Sequence, residues 1–299
     1  MINACDNLCI GLCVWNGEST IKKTILSLLN QNYKNNIKII ILDNRSDDRT
    51  VRIIKELKNN NKKKNIIIKL VIDKKKRNVV AAQNYLAKKY FLKFDFSMFV
   101  MDDDIYHKNF VNTVIKRLKK KNLDLVYTNY MKIDSDTKKI IARNKPLYSY
   151  TISKFYNLAN YIIYRNINPI FFGIYRTKSL LELIEYYNHF DSSKSNHDNL
   201  LIFNFLLKKK VDVIKKNYFF FLEKGRNKIE KIRETGPSYW KLSSLFTIFI
   251  YQFNFSTRMI NLLVKSNQIS LLKKILLFSL ISIIYFQKTL SYVTKRLFI

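Results

Sequence analysis

Glycine, proline and cysteine are all scarce in this chain of 299 residues, which contains 5 Gly, 3 Pro and 3 Cys. So few glycines and prolines exclude a collagen-like chain or one made mostly of flexible linker. Hydrophobic residues make up 47% of the chain, which excludes a disordered protein and allows a sizeable core. The length is that of one large domain or two small ones.

Acidic residues are also few, since 22 Asp and Glu stand against 54 Lys and Arg, for a net charge of +32. This excess favours an anionic partner, whether nucleic acid, an acidic membrane surface or a phosphorylated substrate. A second explanation is compositional, because an A+T-rich coding sequence favours Lys, Asn, Ile, Tyr and Phe whatever the function. The lysines lie in short scattered runs without a nucleic-acid-binding module, so no specific nucleic-acid partner is expected.

The three cysteines, Cys5, Cys9 and Cys13, lie near the N-terminus at intervals of four. Cys9 and Cys13 fall on a predicted strand, where four residues span about 13 Å, and a disulfide requires Cα atoms within roughly 7 Å. We therefore expect buried, reduced thiols, as in a cytoplasmic protein. Met1–Asn7 contain no basic residue, and the apolar run after them is short, so no signal peptide is predicted.

Up to about residue 130, apolar runs typical of buried strands alternate with hydrophobic residues at helical spacing. The predicted strands are Leu8–Val14, Ile37–Leu42, Ile66–Ile72 and Ser97–Met101. The order βαβαβαβ predicts an α/β fold with a doubly wound, mostly parallel sheet and helices on both faces. Ligands bind beyond the carboxyl ends of the strands in such sheets.

The chain beyond about residue 225 is predicted to be a basic and apolar helical tail. Leu242–Thr257 and Ile275–Gln287 contain no charge, and each is shorter than the about 20 apolar residues that cross a bilayer. Basic residues border both runs, as in helices that lie in a membrane interface. We therefore divide the chain into residues 1–225 and a tail of residues 226–299 at the inner face of the membrane. A helical bundle packed on the first domain is the alternative.

Three adjacent aspartates, Asp102, Asp103 and Asp104, follow the fourth predicted strand. Their mutual repulsion is costly unless a cation offsets it. The carboxylates of Asp102 and Asp104 can hold a divalent ion such as Mg²⁺ or Mn²⁺, which takes oxygen ligands and typically bridges phosphates. An acidic helix N-terminus is the alternative, and it explains one aspartate better than three.

Asp43 ends the second predicted strand, where its carboxylate can accept a hydrogen bond from a pyrimidine base. The polar residues after it, Asn44–Thr50, suit a turn that caps the next helix.

Four segments in this order resemble the family 2 glycosyltransferases of the GT-A fold: Cys9–Glu18, Ser27–Gln31, Asp43–Thr50 and Asp102–Asp104. The resemblance implies an inverting transferase that uses a nucleotide-activated sugar and a divalent metal. It assigns Asp102 and Asp104 to the metal, and it assigns the following residues to the nucleotide sugar: Asn16, Asp43, Asn84, Asp102 and Asp103.

The chain departs from the family pattern at several of these positions. Gln83 replaces the arginine of the family's Ala-Arg-Asn segment, Trp15-Asn16 stands where Tyr-Asn is common, and Asn44-Arg45 replaces Asp-Gly. These departures leave the donor open among UDP-, dTDP- and GDP-sugars.

Inversion by single displacement needs a base that takes the proton of the acceptor hydroxyl. The family places an acid at the start of a helix beyond the acceptor loop, and here Asp198 precedes the predicted helix Asn199–Leu207. Asp198 is therefore the predicted catalytic base, and Asp191 is the alternative residue for this role. The other interpretation of Asp198 is structural, since an aspartate at this position can cap the helix. Arg226 and Arg233 lie in a later loop that either covers the diphosphate or links the domain to the tail.

These observations predict a glycosyltransferase that acts on a glycan or lipid-linked acceptor, such as a surface-polysaccharide precursor. A nucleotidyltransferase is the alternative enzyme, but Trp15–Glu18 is not the glycine-rich phosphate loop that this class usually needs. A basic protein that binds nucleic acid or membranes is the alternative without catalysis.

Overall fold

The computed structural model describes residues 6–134, 139–143, 148–164, 169–184, 197–223 and 242–297. These residues form a nine-stranded mixed sheet with helices on both faces. Cys5, Asp191, Arg226 and Arg233, and with them the predicted domain boundary at residue 225, lie outside the described residues.

The strands, in chain order, are β1 (Leu8–Val14), β2 (Ile37–Asp43), β3 (Ile66–Ile72), β4 (Phe96–Met101), β5 (Asp104–Tyr106), β6 (Leu125–Asp134), β7 (Ile140–Arg143), β8 (Ile174–Arg176) and β9 (Val211–Glu223). The helices are α1 (Ile21–Leu29), α2 (Thr50–Asn59), α3 (Val79–Leu86), α4 (Phe110–Lys120), α5 (Lys154–Tyr164), α6 (Thr177–Ile184), α7 (His197–Lys208), α8 (Leu242–Val264) and α9 (Leu271–Leu297). A π-helical turn, Ala87–Phe91, continues α3, and a 3₁₀ turn, Pro169–Phe172, precedes β8.

The first four strands form a parallel half-sheet in the order β3-β2-β1-β4. This arrangement confirms the predicted α/β fold with a mostly parallel sheet. Val14 lies opposite Asp43, and Asp43 lies opposite Ile72, so these three strands end at the same level. The polar segments that follow them are therefore brought to one edge.

The second half of the sheet is mixed. β8 pairs antiparallel with both β4 and β6, whereas β9 runs parallel to β6 and antiparallel to β5. Two register shifts interrupt the pairing of β6 with β9, on either side of Asn129. Because β5 starts at Asp104, the last of the three aspartates belongs to a strand rather than to a loop.

Each face of the sheet carries its own hydrophobic cluster. In β1, Leu8, Ile10 and Leu12 pack with α1, α2 and α4, and the intervening Cys9 and Cys13 pack on the opposite face. Both cysteines are free and buried, as predicted. Burial raises the pKa of each thiol to about 12, so neither is a reactive thiolate at neutral pH.

The two C-terminal helices pack on the same sheet face as Cys9, together with α5 and α7. Met259 of α8 and Ile281 of α9 are fully buried, and the Tyr285 hydroxyl donates a hydrogen bond to the Met259 sulfur at 3.6 Å. The hydrophobic core therefore continues from the parallel sheet into these helices. None of the described helices has the length and hydrophobicity that crossing a membrane requires.

Candidate functional site

The loops that follow β1 and β2 are joined by hydrogen bonds at the carboxyl edge of the sheet. The backbone N–H of Asn16 donates to Ser46 Oγ at 2.9 Å, and Asn16 Oδ1 accepts from the backbone N–H of Asp47 at 3.1 Å. The backbone N–H of Gly17 donates to Thr50 Oγ1 at 2.8 Å. Asn16 has a φ of 51°, a left-handed conformation that asparagine tolerates better than most residues. The Asn16 side chain thus helps to hold the loop after β2 in place, besides being one of the residues of the candidate site.

Asp43 lies at the base of these loops and is 1% exposed. Its Oδ2 accepts from the backbone N–H of Ser46 at 3.2 Å, whereas its Oδ1 is buried without a hydrogen-bond partner among the described residues. Asn84 Oδ1, on α3, is a second buried acceptor in the same condition. Since an unsatisfied buried acceptor is costly, each of these oxygens suits an N–H or O–H group brought by a ligand.

Asp102 lies between the end of β4 and the start of α1. Its Oδ2 is 3.4 Å from the Thr20 hydroxyl, and its backbone carbonyl accepts from Thr24 Oγ1 at 2.8 Å. A Cβ on Gly17 would lie 2.5 Å from Asp102 Oδ2, so a residue with a side chain at position 17 displaces this carboxylate. The absence of a side chain at Gly17 leaves the space that the Asp102 carboxylate occupies.

Asp104 is completely buried, unlike the half-buried Asp102 and Asp103. Its Oδ2 accepts from the backbone N–H of Met101 at 3.2 Å, and its Oδ1 is buried without a hydrogen-bond partner in the part of the chain described. Burial, followed by repulsion from the neighbouring Asp103, raises the pKa of Asp104 well above its ordinary value. The predicted metal pair therefore consists of one buried and one partly exposed carboxyl group.

The residues present fit a hard divalent cation only if other ligands complete its shell. Across the described ranges, no three His, Cys, Asp or Glu side chains are grouped to hold a metal. Mg²⁺ commonly binds through one or two carboxylates and fills its remaining positions with phosphate oxygens and water. Asp102 and the unsatisfied Oδ1 of Asp104 would be the carboxylate part of such a set.

Asp198 lies in the first turn of α7, at the helix start that the sequence predicted. The Asn199 side-chain amide donates to Asp198 Oδ1 at 3.4 Å. Tyr175 of β8 is close enough that burial, and then the charge of Asp198, raise the pKa of the tyrosine well above its ordinary value. Asp198 is half-buried and lies near β8.

The loop after β3 contributes to the site in a way that the sequence did not predict. Asp73 is 7% exposed and forms an ion pair with Arg77 at 2.5 Å, and the Arg77 guanidinium lies 4.5 Å from the centre of the Tyr85 ring. Lys76 Nζ lies 3.9 Å from the centre of the Trp15 ring, which is half exposed. An acid and an arginine four residues apart, directly after a strand, were the signal available in the sequence.

The Ser27–Gln31 segment of the family pattern has a structural function here. Gln31 Nε2 donates to the carbonyls of Ser27 at 3.0 Å and His107 at 3.1 Å, and its Oε1 accepts from the backbone N–H of Val111 at 3.1 Å. Ser27 Oγ accepts from the backbone N–H of Tyr106 at 3.2 Å. These bonds fix α1 against the segment that carries Asp104.

Solved structures that resemble this chain include those of S. aureus TarS. TarS 1–349 in complex with UDP-GlcNAc has a TM-score of 0.67 and 14% identity, and the match covers 94% of this chain and 73% of that one. TarS 1–349 in complex with UDP has a TM-score of 0.63 and 15% identity, over 91% of this chain and 69% of that one. At such low identity the likeness shows the GT-A fold. Comparison with curated protein sequences gives no significant match.

The sequence itself carries the family assignment. The profile of glycosyl transferase family 2 matches residues 9–183, which is more than half of the chain and includes β1–β4, the three aspartates and most of α6. The protein therefore belongs to glycosyl transferase family 2 and is a glycosyltransferase.

Proposed function

We propose that this enzyme transfers a sugar from a nucleoside-diphosphate sugar to an acceptor hydroxyl, with inversion at the anomeric carbon. The observation that carries the proposal is the buried, unsatisfied Asp43 Oδ1 at the carboxyl edge, within the loops that follow β1 and β2. The similar TarS structures contain UDP and UDP-GlcNAc, which supports a UDP-sugar before a dTDP- or GDP-sugar.

The sugar donor supplies hydrogen-bond donors to two buried acceptors of the site. Asp43 Oδ1 accepts a hydrogen bond from an N–H of the base, and Asn84 Oδ1 accepts one from another donor group, together with contacts from Asn16 and Asp103. A nucleotide base that offers a hydrogen-bond donor to Asp43 is favoured. A base that offers only an acceptor there would leave both that acceptor and Asp43 Oδ1 without a partner.

Asp102 and Asp104 would hold Mg²⁺ or Mn²⁺, with phosphate oxygens of the donor and water as the further ligands. Such an ion, when bound, offsets the negative charge that develops on the departing diphosphate. The chain contributes the two carboxyl groups and keeps them in place through Thr20, Gly17 and the Met101 backbone N–H.

Asp198 acts as the general base. Its carboxylate accepts the proton of the acceptor hydroxyl while that oxygen forms a bond to the anomeric carbon and the diphosphate oxygen leaves from the opposite side. A negative charge in the first turn of α7 is stabilised by the positive end of the helix dipole.

The acceptor is a lipid-linked or surface-polysaccharide precursor, and the enzyme works at the inner face of the membrane. The support is a row of large apolar side chains exposed on the outer face of α9, with two exposed lysines nearby, Lys265 just after α8 and Lys273 in the first turn of α9. Monomeric proteins rarely expose apolar patches of this kind without a partner. The row comprises Leu272, Ile275, Leu276, Ile283, Phe286 and Leu290.

Vesicle sedimentation tests the membrane part. A variant with Leu276, Ile283 and Phe286 changed to serine should lose binding to vesicles that contain anionic lipid. Its matched control changes three similarly exposed residues away from α9 to serine: Ile67, Ile72 and Leu92. Equal binding by both variants would remove the membrane contact of α9 from the proposal.

Calorimetry with UDP, dTDP, GDP and CMP, each with and without Mn²⁺, tests the donor part. We expect metal-dependent binding of one diphosphate, which Asp43→Ala abolishes and Asp95→Ala, an exposed control, does not change. Absence of binding to all four nucleotides with metal present would contradict the proposed donor class.

A further inference from the structure

A second groove lies at the edge of the sheet opposite the donor loops. It has a volume of about 950 Å³ and lies between α4 and the segments that precede β1, β2 and β3. The charged residues that line it are Asp6, Lys34, Lys63, Lys116, Lys119 and Lys120. Because these segments join the amino ends of the parallel strands, the groove is separate from the site around Asp43.

The wall formed by residues 31–35 is held in place by hydrogen bonds. Asn32 donates from its backbone N–H to the Lys108 carbonyl at 2.7 Å and from Nδ2 to Asn109 Oδ1 at 2.9 Å. Tyr33 is 8% exposed, and its hydroxyl donates to the Asp6 carbonyl. The groove is therefore a formed feature of the fold and not a gap between mobile side chains.

The positive charge in this groove is not balanced by the protein. Asp6, the single acid of the lining, is paired with Lys119. Lys34, Lys116 and Lys120 are exposed, and none of them forms an ion pair within the described ranges. Several uncompensated ammonium groups around one concavity concentrate a positive potential there.

The chemistry of the lining suits phosphate groups. Lysine ammonium groups bind phosphate oxygens as point charges. Lys116 and Lys120 lie one turn apart on α4, about 6 Å along the helix axis, which suits charges that follow one another along a chain. The aromatic ring of the groove, Tyr33, is buried and offers no surface on which a nucleic-acid base can stack.

We propose that this groove binds a linear, soluble polyanion whose charges are successive phosphate groups. A membrane is the less suitable partner, because the exposed apolar face belongs to α9, which packs on the other face of the sheet from α4. The proposal does not depend on the proposed donor, metal or base.

Fluorescence anisotropy with labelled inorganic polyphosphate tests the groove, in EDTA so that no metal bridges the probe to the aspartates. The groove variant changes Lys34, Lys116 and Lys120 to glutamine. The control variant changes three exposed lysines from the other side of the sheet to glutamine: Lys88, Lys93 and Lys178. Both variants lose the same net charge.

We expect the groove variant to lose at least about tenfold in affinity and to show a weaker salt dependence, since fewer counterions are released. The control variant should bind as the natural chain does. An equal loss of affinity in both variants would mean that net charge alone explains the binding, and it would overturn the proposal. A single-stranded oligonucleotide of equal charge that binds more tightly than polyphosphate, or anionic vesicles that compete fully, would also overturn it.

Lysine acetylation of the unmodified protein, read by mass spectrometry, gives a second test that needs no variant. Bound polyphosphate should protect Lys34, Lys116 and Lys120 from acetylation and leave Lys88 and Lys178 as reactive as before. Uniform protection of both sets would contradict a specific groove. Binding of UDP in the presence of Mn²⁺, measured on the groove variant, separates this result from any failure of the donor site.

Discussion

The side-chain amide of Asn44 is hydrogen-bonded to the backbone of Arg77 in both directions. Asn44 Nδ2 donates to the Arg77 carbonyl at 2.6 Å, and the Arg77 backbone N–H donates to Asn44 Oδ1 at 2.7 Å. This pair holds the loop after β3 against the loop after β2, beside Asp43. The family pattern that this segment resembles has aspartate at this position, but a carboxylate cannot donate to the Arg77 carbonyl.

Asn44→Asp should therefore destabilise this protein although it restores the residue of the family pattern. We expect a loss of about 1–3 kcal/mol in the free energy of unfolding, because one partly buried hydrogen bond becomes a contact between two acceptors. Urea unfolding measures the loss, and Asn59→Asp at the exposed end of α2 is the control. A variant as stable as the natural chain would show that the Asn44 pair is unimportant.

Gly17→Ala should impair the donor site, and its Cβ also meets Val14 Cγ2 at 2.7 Å. The new Cβ meets the Asp102 carboxylate at 2.5 Å, and a misplaced catalytic group can cost roughly 10²-fold in rate. Gly11→Ala is the matched comparison, since its Cβ meets the Phe91 ring in the core at 2.8 Å. We expect Gly11→Ala to lower the unfolding midpoint and Gly17→Ala to lower kcat and metal-dependent UDP binding. The reverse pattern would contradict the placement of Asp102.

Asp104→Asn should make the metal-free protein more stable at alkaline pH. The raised pKa means that folded Asp104 keeps its proton to a higher pH than unfolded Asp104, so its contribution to stability is lost as the pH rises. Asparagine has no such loss and can still accept from the Met101 backbone N–H.

Urea unfolding in EDTA at pH 5 and pH 8 measures the effect of Asp104→Asn. The decrease in stability between the two pH values should be smaller in the variant than in the natural chain, whereas Asp95→Asn, at an exposed residue, should leave it unchanged. Metal-dependent UDP binding should weaken in the same variant. An identical pH dependence in Asp104→Asn and the natural chain would contradict the burial of this carboxyl group.

Asp198→Asn should lower kcat by about 10²–10⁴-fold and leave UDP binding nearly unchanged, because the base acts on the acceptor and not on the nucleotide. Glu182→Gln, at an exposed acid paired with Lys209, is the control for loss of one negative charge. Transfer assays and calorimetry on the same preparations separate the two effects. Full activity in Asp198→Asn would remove this residue from the role of base.

The parallel half of the fold was readable from the sequence because each buried strand is a continuous apolar run that ends in polar residues. Leu8–Val14 and Ile66–Ile72 were predicted with the bounds that the structure has. The strand pairing of the second half was not readable in this way. β8 has only three residues, Ile174–Arg176, and its antiparallel partners lie far away in the sequence.

The candidate site likewise has a part that was predictable from the sequence and a part that was not. Asp43 and Asp102 follow predicted strands, so their arrival at one edge followed from the topology. The burial of Asp104 depends on β5, which pairs Asp104 with Phe221, a strand contact that local pattern does not reveal. The bonds between Asn44 and Arg77 likewise join two loops that are 33 residues apart.

Helix α1 touches both regions of interest. Thr24, within the helix, bonds to the Asp102 carbonyl, and Gln31, just after its end, lies in the wall of the lysine groove. The nine residues of α1 form a rod of about 14 Å. A polyanion bound among the lysines of the groove therefore has to extend over the length of α1 before it reaches the loops at the carboxyl edge of the sheet. Short oligomers and long ones should differ in whether they occupy one of these regions or both.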